Sequence, residues 1–389
     1  MVLSFIDMDP KLTTVVFGLI FCCLNGQEMN DYQNLYTDLF TNYNAELKPV
    51  SNQSADLAVY FSFVLMGINS FNEVDGIFSV VAILNFTWKD SSLTWQPSKY
   101  NGINTVSVSM ETVWKPTVVL VNDAYSLDTV GSDKSFGVTI RHDGYVMWVP
   151  GGVLNAKCYA NIWKFPFDIH ACSLLFVTWD DTWSTFLEKA INPYDVNTFF
   201  VPNTDWNLET IKVEKSIQVP NISMEVGFQI KREPLYYNVL IFSPVAILSL
   251  LNPLVFILPN ECGERLSFGM TILLSFVVFL TLASDAIPAT SNPISFLIVF
   301  IILVIVASAI ITVFNIVIIR LFNGNDAEIN GCFKHVFVFF LRKKNKIMPL
   351  EEKMVKQKEV ALALDKFCLI VSYMSIFILI FVYFLVLQC

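Results

Sequence analysis

Glu264, Ser267, Thr271, Leu274, Val278, Thr281 and Asp285 recur at steps of three and four. At 3.6 residues per turn they share one face of a helix. Carboxylates close both ends of that face, hydroxyls lie inside them, and Leu274 and Val278 occupy its middle. The other faces are mostly Leu, Ile, Phe, Met and Val. Polar side chains at membrane depth are costly unless they face protein or water. A polar line about 31 Å long at 1.5 Å per residue therefore predicts a helix lining a water-filled path. A polar seam between packed helices is the alternative, since Ser and Thr serve that role as well. The terminal carboxylates speak against it.

One helix cannot enclose a path, so several chains must contribute the same face around an axis, and each residue of the face becomes a ring. Rings of Glu264 and Asp285 would gather monovalent cations and repel anions. A ring of Leu274, flanked by Val278, would be a dry constriction that blocks ions until it is wetted.

The elements that must hold this helix are visible in composition. Hydrophobic residues make up 54% of the 389, charged residues 15%, and mean hydropathy is +0.55, which excludes a wholly soluble chain. Four apolar runs, Leu235–Leu258, Leu266–Ala283, Ile294–Leu321 and Phe367–Leu387, each reach the ~20 residues that a spanning helix needs. Their remaining faces are expected to meet membrane lipid. Residues 28–233 carry 23 acids against 13 bases, whereas 321–366 is net basic. By the positive-inside bias the basic link lies in the cytoplasm, and both ends of the mature chain lie outside. The second half of the link's stretch FFLRKKNKIMPLEEKMVKQKEVALALDKF lacks Gly and Pro and is expected to run as a helix into the fourth span. A pI near 4.9 without a basic stripe excludes nucleic-acid binding.

Residues 1–26 have the pattern of a signal peptide, with Lys11 before a short apolar run and Gly26 as a small cleavage residue. An uncleaved anchor is the alternative. The expected plan is then an extracellular domain over 27–233, three spans over 234–321, a short link over 322–366 and a fourth span over 367–389. Alternating stretches such as FGVTIRHDGYVMWVP, CSLLFVTW and ISMEVGFQIKRE, separated by Gly, Pro and Asn turns, predict an all-β immunoglobulin-like antiparallel sandwich ahead of a four-helix bundle. Asn52, Asn85 and Asn221 stand in glycosylation sequons. Asn52 and Asn221 are the expected acceptors; Asn85 shares a strand face with Ile83 and is expected to be modified partly or not at all. The histidines His142, His170 and His335 are scattered, and no Cys or His spacing forms a metal site. Neither a nucleophile–base pair nor a phosphate loop stands out, so no enzyme activity, metal or cofactor is expected.

CYANIWKFPFDIHAC, Cys158 to Cys172, resembles the signature loop of the Cys-loop pentameric ligand-gated ion channels. FTWKDSSLTWQPSKYNGI, VWKPTVVLVND, HDGYVMWVPGG, FFVPNTDWNL and KREPLYY are similar to family strand and loop motifs, in the family's order. GERLSFGMTILLSFVVFLTLASDAIPATS is similar to the pore helix of the cation-selective nicotinic branch. The resemblance implies a plasma-membrane channel of identical subunits, with Cys158 and Cys172 joined by a disulfide. Two strand ends around a Pro-centred turn, in an oxidising compartment, suit that bond. It also implies a further cytoplasmic acidic ring at Glu261. Coupling of binding to the pore would fall to Glu73 and Val74, the loop Phe165, Pro166, Phe167 and Asp168, the pre-membrane Arg232, and Pro288, with an ion pair between Glu73 and Arg232.

The ligand reading departs from the family. Nicotinic sites hold an ammonium group in a box of aromatic rings. Trp179 stands at one box position, but Val121 and Ile83 stand where a tyrosine and a tryptophan belong. Trp179 is otherwise a core residue. Residues 209–227 replace the capping loop without adjacent cysteines or an aromatic residue. Ile83, Val121, Met147 and Val149 beside Trp179, with Asp180 and Asp181 adjacent, suit an amphipathic or apolar small molecule. A non-conducting binding or assembly subunit that needs partners is the rival expectation.

Overall fold

The computed structural model describes residues 29–131, 137–179, 184–190, 199–216, 223–260, 263–287, 293–324 and 357–388. The signal peptide, Asp180, Asp181, Asn221, Glu261, Pro288 and most of the cytoplasmic link lie outside the described residues.

Eleven strands are described: β1 (Leu57–Asn72), β2 (Ile77–Thr94), β3 (Thr105–Val108), β4 (Val118–Leu120), β5 (Val138–Arg141), β6 (Asp143–Trp148), β7 (Gly151–Lys157), β8 (Ile169–Thr178), β9 (Thr185–Lys189), β10 (Trp206–Lys215) and β11 (Ser223–Arg232). They form two sheets, one ordered β3-β5-β6-β2-β1-β9 with β7 also on β2, the other β10-β11-β8-β4. Period-two patterning decides which residues face the core. Along β2, Phe78, Val80, Ala82, Leu84, Phe86 and Trp88 point inward, while Val81, Ile83, Asn85 and Thr87 alternate outward. Phe61 packs on Phe86 and Phe176 from opposite sheets, and Trp148 stacks on Phe86. Burying each such ring contributes on the order of 2 kcal/mol.

Two features depart from the expected antiparallel sandwich. β1 pairs with β9 in parallel, Leu57 opposite Thr185. A helix, α1 (Met29–Phe40), precedes the strands and buries Leu35. Its Asp38 accepts a hydrogen bond from the Tyr100 hydroxyl at 2.6 Å.

The β1–β2 hairpin closes through Glu73–Gly76. Asn72 Oδ1 accepts the backbone N–H groups of Val74 and Asp75. Gly76 sits at φ 63°, and a Cβ there would lie 2.9 Å from the Cys158 carbonyl oxygen, so the turn needs glycine. The Gly76 carbonyl accepts Cys158 N–H at 2.8 Å, which ties the hairpin tip to the Cys158–Cys172 disulfide.

Among the described residues four helices are long and apolar enough to span a membrane: α2 (Leu235–Phe256), α3 (Glu264–Ala286), α4 (Phe296–Phe322) and α5 (Gln357–Gln388). Pro253 ends α2 in a tightened turn. Ser295 caps α4, its hydroxyl accepting Leu297 N–H. α5 begins ahead of the apolar run, at Gln357, as the helix formers of the link require.

Candidate functional site

On α3 the residues Arg265, Gly269, Ile272, Phe276 and Ala283 are buried against the bundle. Glu264, Ser267, Thr271, Leu274, Val278, Thr281 and Asp285 are all exposed on the opposite side, Leu274 at 64%. Thr271 donates to the Ser267 carbonyl at 2.9 Å and Thr281 to that of Val278 at 2.7 Å. Those donors are used within the helix, so the hydroxyls keep lone pairs to offer water or a cation.

The inner end of α3 is fastened by a residue whose role sequence reasoning missed. Arg265 is fully buried; its guanidinium reaches both carboxylate oxygens of Asp365 on α5, Asn260 Oδ1, the Leu258 carbonyl at 3.2 Å, and Asn315 Oδ1 on α4 at 2.6 Å. Asn260 also donates to Asp365 at 2.9 Å. Asp365 and Asn315 come from distant parts of the chain, and no local pattern announces them.

Where the sandwich meets the membrane helices, Arg232 is 5% exposed and forms two parallel bonds with Asp168, at 2.9 and 3.0 Å, besides its contact with Glu73. Its guanidinium lies 4.3 Å from the Trp206 ring and 4.8 Å from that of Phe165. His170 Nδ1 faces Asn161 N–H, which leaves Nε2 to donate to Asp168 at 2.5 Å. Burial alone would raise the Asp168 carboxyl; the bonds from His170 and Arg232 prevail and hold it below its ordinary value. Burial likewise opposes the Arg232 charge, and the two carboxylates more than restore it. Val74 is exposed at the hairpin tip, Pro166 is buried and Phe167 is half-buried. Phe165 meets Tyr237 of α2 edge-on at 4.8 Å, and the Trp163 carbonyl accepts Phe296 N–H at the start of α4, 3.0 Å away. His170, on β8, lies two residues from Asp168 just before the strand, and both side chains are buried; that spacing was the available signal.

The expected ligand residues divide between the two sheets. Val121 and Trp179 sit beside the β4 edge, where Val121 N–H donates to the Leu175 carbonyl and Trp179 N–H to that of Thr117. Trp179 is 53% exposed, so it is not a core residue. Ile83 and Met147 belong to the other sheet and Val149 to its β6–β7 connection, with Thr87 opposite Met147 and Ile83 opposite Gly151. The expected ligand residues of one chain therefore lie on two separate faces of the sandwich. Asn85 shares the outward face with Ile83, its amide oxygen accepting from the Thr87 hydroxyl at 3.3 Å. On the same face Tyr145 lies between the Arg141 guanidinium, at 4.8 Å, and the Lys89 ammonium, at 5.8 Å; sequence reasoning did not single these out.

A disulfide-bridged sandwich whose basal loops seat on four apolar helices describes a multi-pass plasma-membrane protein with its N-terminal domain outside the cell. The model of the neurotransmitter-gated ion-channel ligand binding domain matches residues 32–234, and that of the neurotransmitter-gated ion-channel transmembrane region matches 241–359. The chain belongs to this family, whose members are channels and not enzymes. It is 31% identical over 319 residues to the neuronal acetylcholine receptor subunit alpha-6 of Rattus norvegicus, covering 79% of this chain and 64% of that protein. It is 30% identical over 318 residues to the acetylcholine receptor subunit beta-type unc-29 of Caenorhabditis elegans, covering 80% and 62%. These matches span less than two thirds of the relatives' own length.

Proposed function

We propose that this chain is a subunit of a pentameric cation channel opened by an extracellular ligand at subunit interfaces, and that five copies of it suffice. The carrying observation is the α3 face: every residue of the polar line is exposed while the opposite face is packed. Around an axis, Glu264, Asp285 and, by resemblance, Glu261 would select cations, and Leu274 with Val278 would gate. The split of Trp179 and Val121 from Ile83, Met147 and Val149 supports a pocket completed by a neighbouring copy. With a single ring at the compared positions, that pocket suits an amphipathic or apolar molecule rather than a choline-like one. Glu73, Asp168 and Arg232 would carry its effect to the helices through Phe165, Trp163 and the Pro288 connection.

A hydrophilic residue at the gate tests this without the ligand. Leu274→Ser expressed alone is expected to give a standing leak, whose inward current falls and whose reversal shifts negative when external sodium is replaced by a large organic cation. A leak that follows chloride would overturn the charge-ring assignment. Surface protein without a leak would favour the rival, a non-conducting subunit that needs partners, which the apolar residues at Val121 and Ile83 also motivate.

A further inference from the structure

A cavity of about 430 Å³ lies between the segment after α1, the β3–β4 and β4–β5 connections, and β6. Its size is within the range of small-molecule sites, roughly 300–1,000 Å³. Met110, Val113, Pro116, Val130 and Trp148 form the apolar part of its wall, and Glu46, Glu111, Lys115, Thr117 and Thr129 the polar part. Two hydrogen-bond donors stand in its wall. Trp148 is 1% exposed, and its indole N–H has no hydrogen-bond partner. Lys115 lies 5.8 Å from the Trp148 ring and makes no ion pair among the described residues, although Glu46 and Glu111 are on the rim. Indole N–H and ammonium groups donate and do not accept. The Trp148 N–H is buried, and buried donors are almost always paired, so this donor beside the half-buried Lys115 ammonium fits a molecule with an apolar body and an anionic acceptor at one end.

We propose that this cavity binds a small monocarboxylic acid, its apolar body against Val113, Val130 and Trp148 and its carboxylate meeting the Trp148 N–H and the Lys115 ammonium. The cavity is separate from both of the expected ligand faces and touches the backbone behind each. Thr117 lines it and accepts the Trp179 N–H through its carbonyl at 2.8 Å. Trp148 stands between Met147 and Val149 in sequence, with its own side chain inward and theirs outward. An occupant therefore bears on both faces of the interface. Its effect on gating rests on the channel reading above; its binding does not.

Binding is measured by titration calorimetry on the full-length protein in nanodiscs, with 3-phenylpropanoate as the probe and 3-phenylpropanol as the neutral isostere. The expected result is saturable binding of the acid, one per chain, with the alcohol weaker by about 10-fold, since hydrogen bonds to charged groups are the stronger kind. Lys115→Gln is expected to weaken the acid by about 10-fold or more, and Lys115→Arg to retain it. Trp148→Phe keeps the ring and removes the N–H, and is expected to weaken acid binding several-fold. If that variant does not fold, the Lys115 pair and the alcohol decide. Equal binding of acid and alcohol, acid binding unaffected by Lys115→Gln, or no saturable binding of the acid would each overturn the proposal.

Discussion

Arg232→Gln should be among the most damaging single changes in the extracellular domain. The substitution removes the cation from two buried bonds to Asp168 and leaves that carboxylate, whose side chain is fully buried, with His170 as its remaining strong partner. Breaking a buried ion pair from one side costs about 3–5 kcal/mol, against roughly 0–1 kcal/mol for an exposed pair. Lost packing of the guanidinium on Trp206 and Phe165 adds to this. The measurement is a double-mutant cycle on the full-length protein in nanodiscs: Arg232→Gln, Asp168→Asn and the double variant, compared by resistance of the sandwich to thermal unfolding. The double variant should be less destabilised than the sum of the singles by about 1–3 kcal/mol, because it buries two neutral amides. The pH dependence gives a second reading. The Asp168 carboxyl is held low in the folded state, so its contribution is present above the unfolded value, about 3.9, and is lost as pH falls through the lower folded value. The difference between wild type and Asp168→Asn should therefore shrink in acid. Additive costs in the cycle, or a difference that is flat down to strong acid, would refute the reasoning.

Asp365→Asn leaves the buried Arg265 charge with amide and carbonyl acceptors only. It should destabilise the helix bundle by about 3 kcal/mol or more, read as earlier heat-induced loss of the detergent-extracted oligomer, with partial rescue by Arg265→Gln in the same chain. Gly76→Ala and Gly102→Ala both place a side chain at positive φ, but only the first also meets a carbonyl oxygen at 2.9 Å. Gly102→Ala should cost about 1–2 kcal/mol and Gly76→Ala measurably more, compared by thermal melting of the two variants.

The parts legible in the sequence were those governed by a local period. The 3.6-residue repeat separated the α3 polar line from the Arg265–Ile272–Phe276–Ala283 face, and the two-residue repeat put Ile83 and Asn85 on the same side of β2. Helix formers after Gln357 likewise signalled the early start of α5. Interactions that join distant segments were not legible. Arg265 reads as one basic residue at the head of an apolar run, and nothing near it points to Asn315 or Asp365. The parallel β1–β9 pairing has no turn chemistry to mark it. Glu73–Arg232 was expected from resemblance; that Asp168 is the better-bonded partner, with His170 behind it, depends on burial that only the folded sandwich supplies. Trp179 illustrates the opposite difficulty, since a tryptophan at a strand end is equally at home in a core or on a surface.

The Arg265 cluster pivots one end of α3 on polar bonds, while Ile272, Phe276 and Ala283 hold the rest of its length by packing. Its side-chain bonds to other segments are gathered at Arg265, while the hydroxyls further along bond only within the helix. At 1.5 Å per residue, Leu274 lies about 14 Å and Asp285 about 30 Å from the pivot. Trp163 and Phe165 meet α4 and α2 rather than α3, so a push from the sandwich would reach the outer part of α3 by way of those helices. Glu264, beside the pivot, would then be displaced less than Leu274 or Asp285.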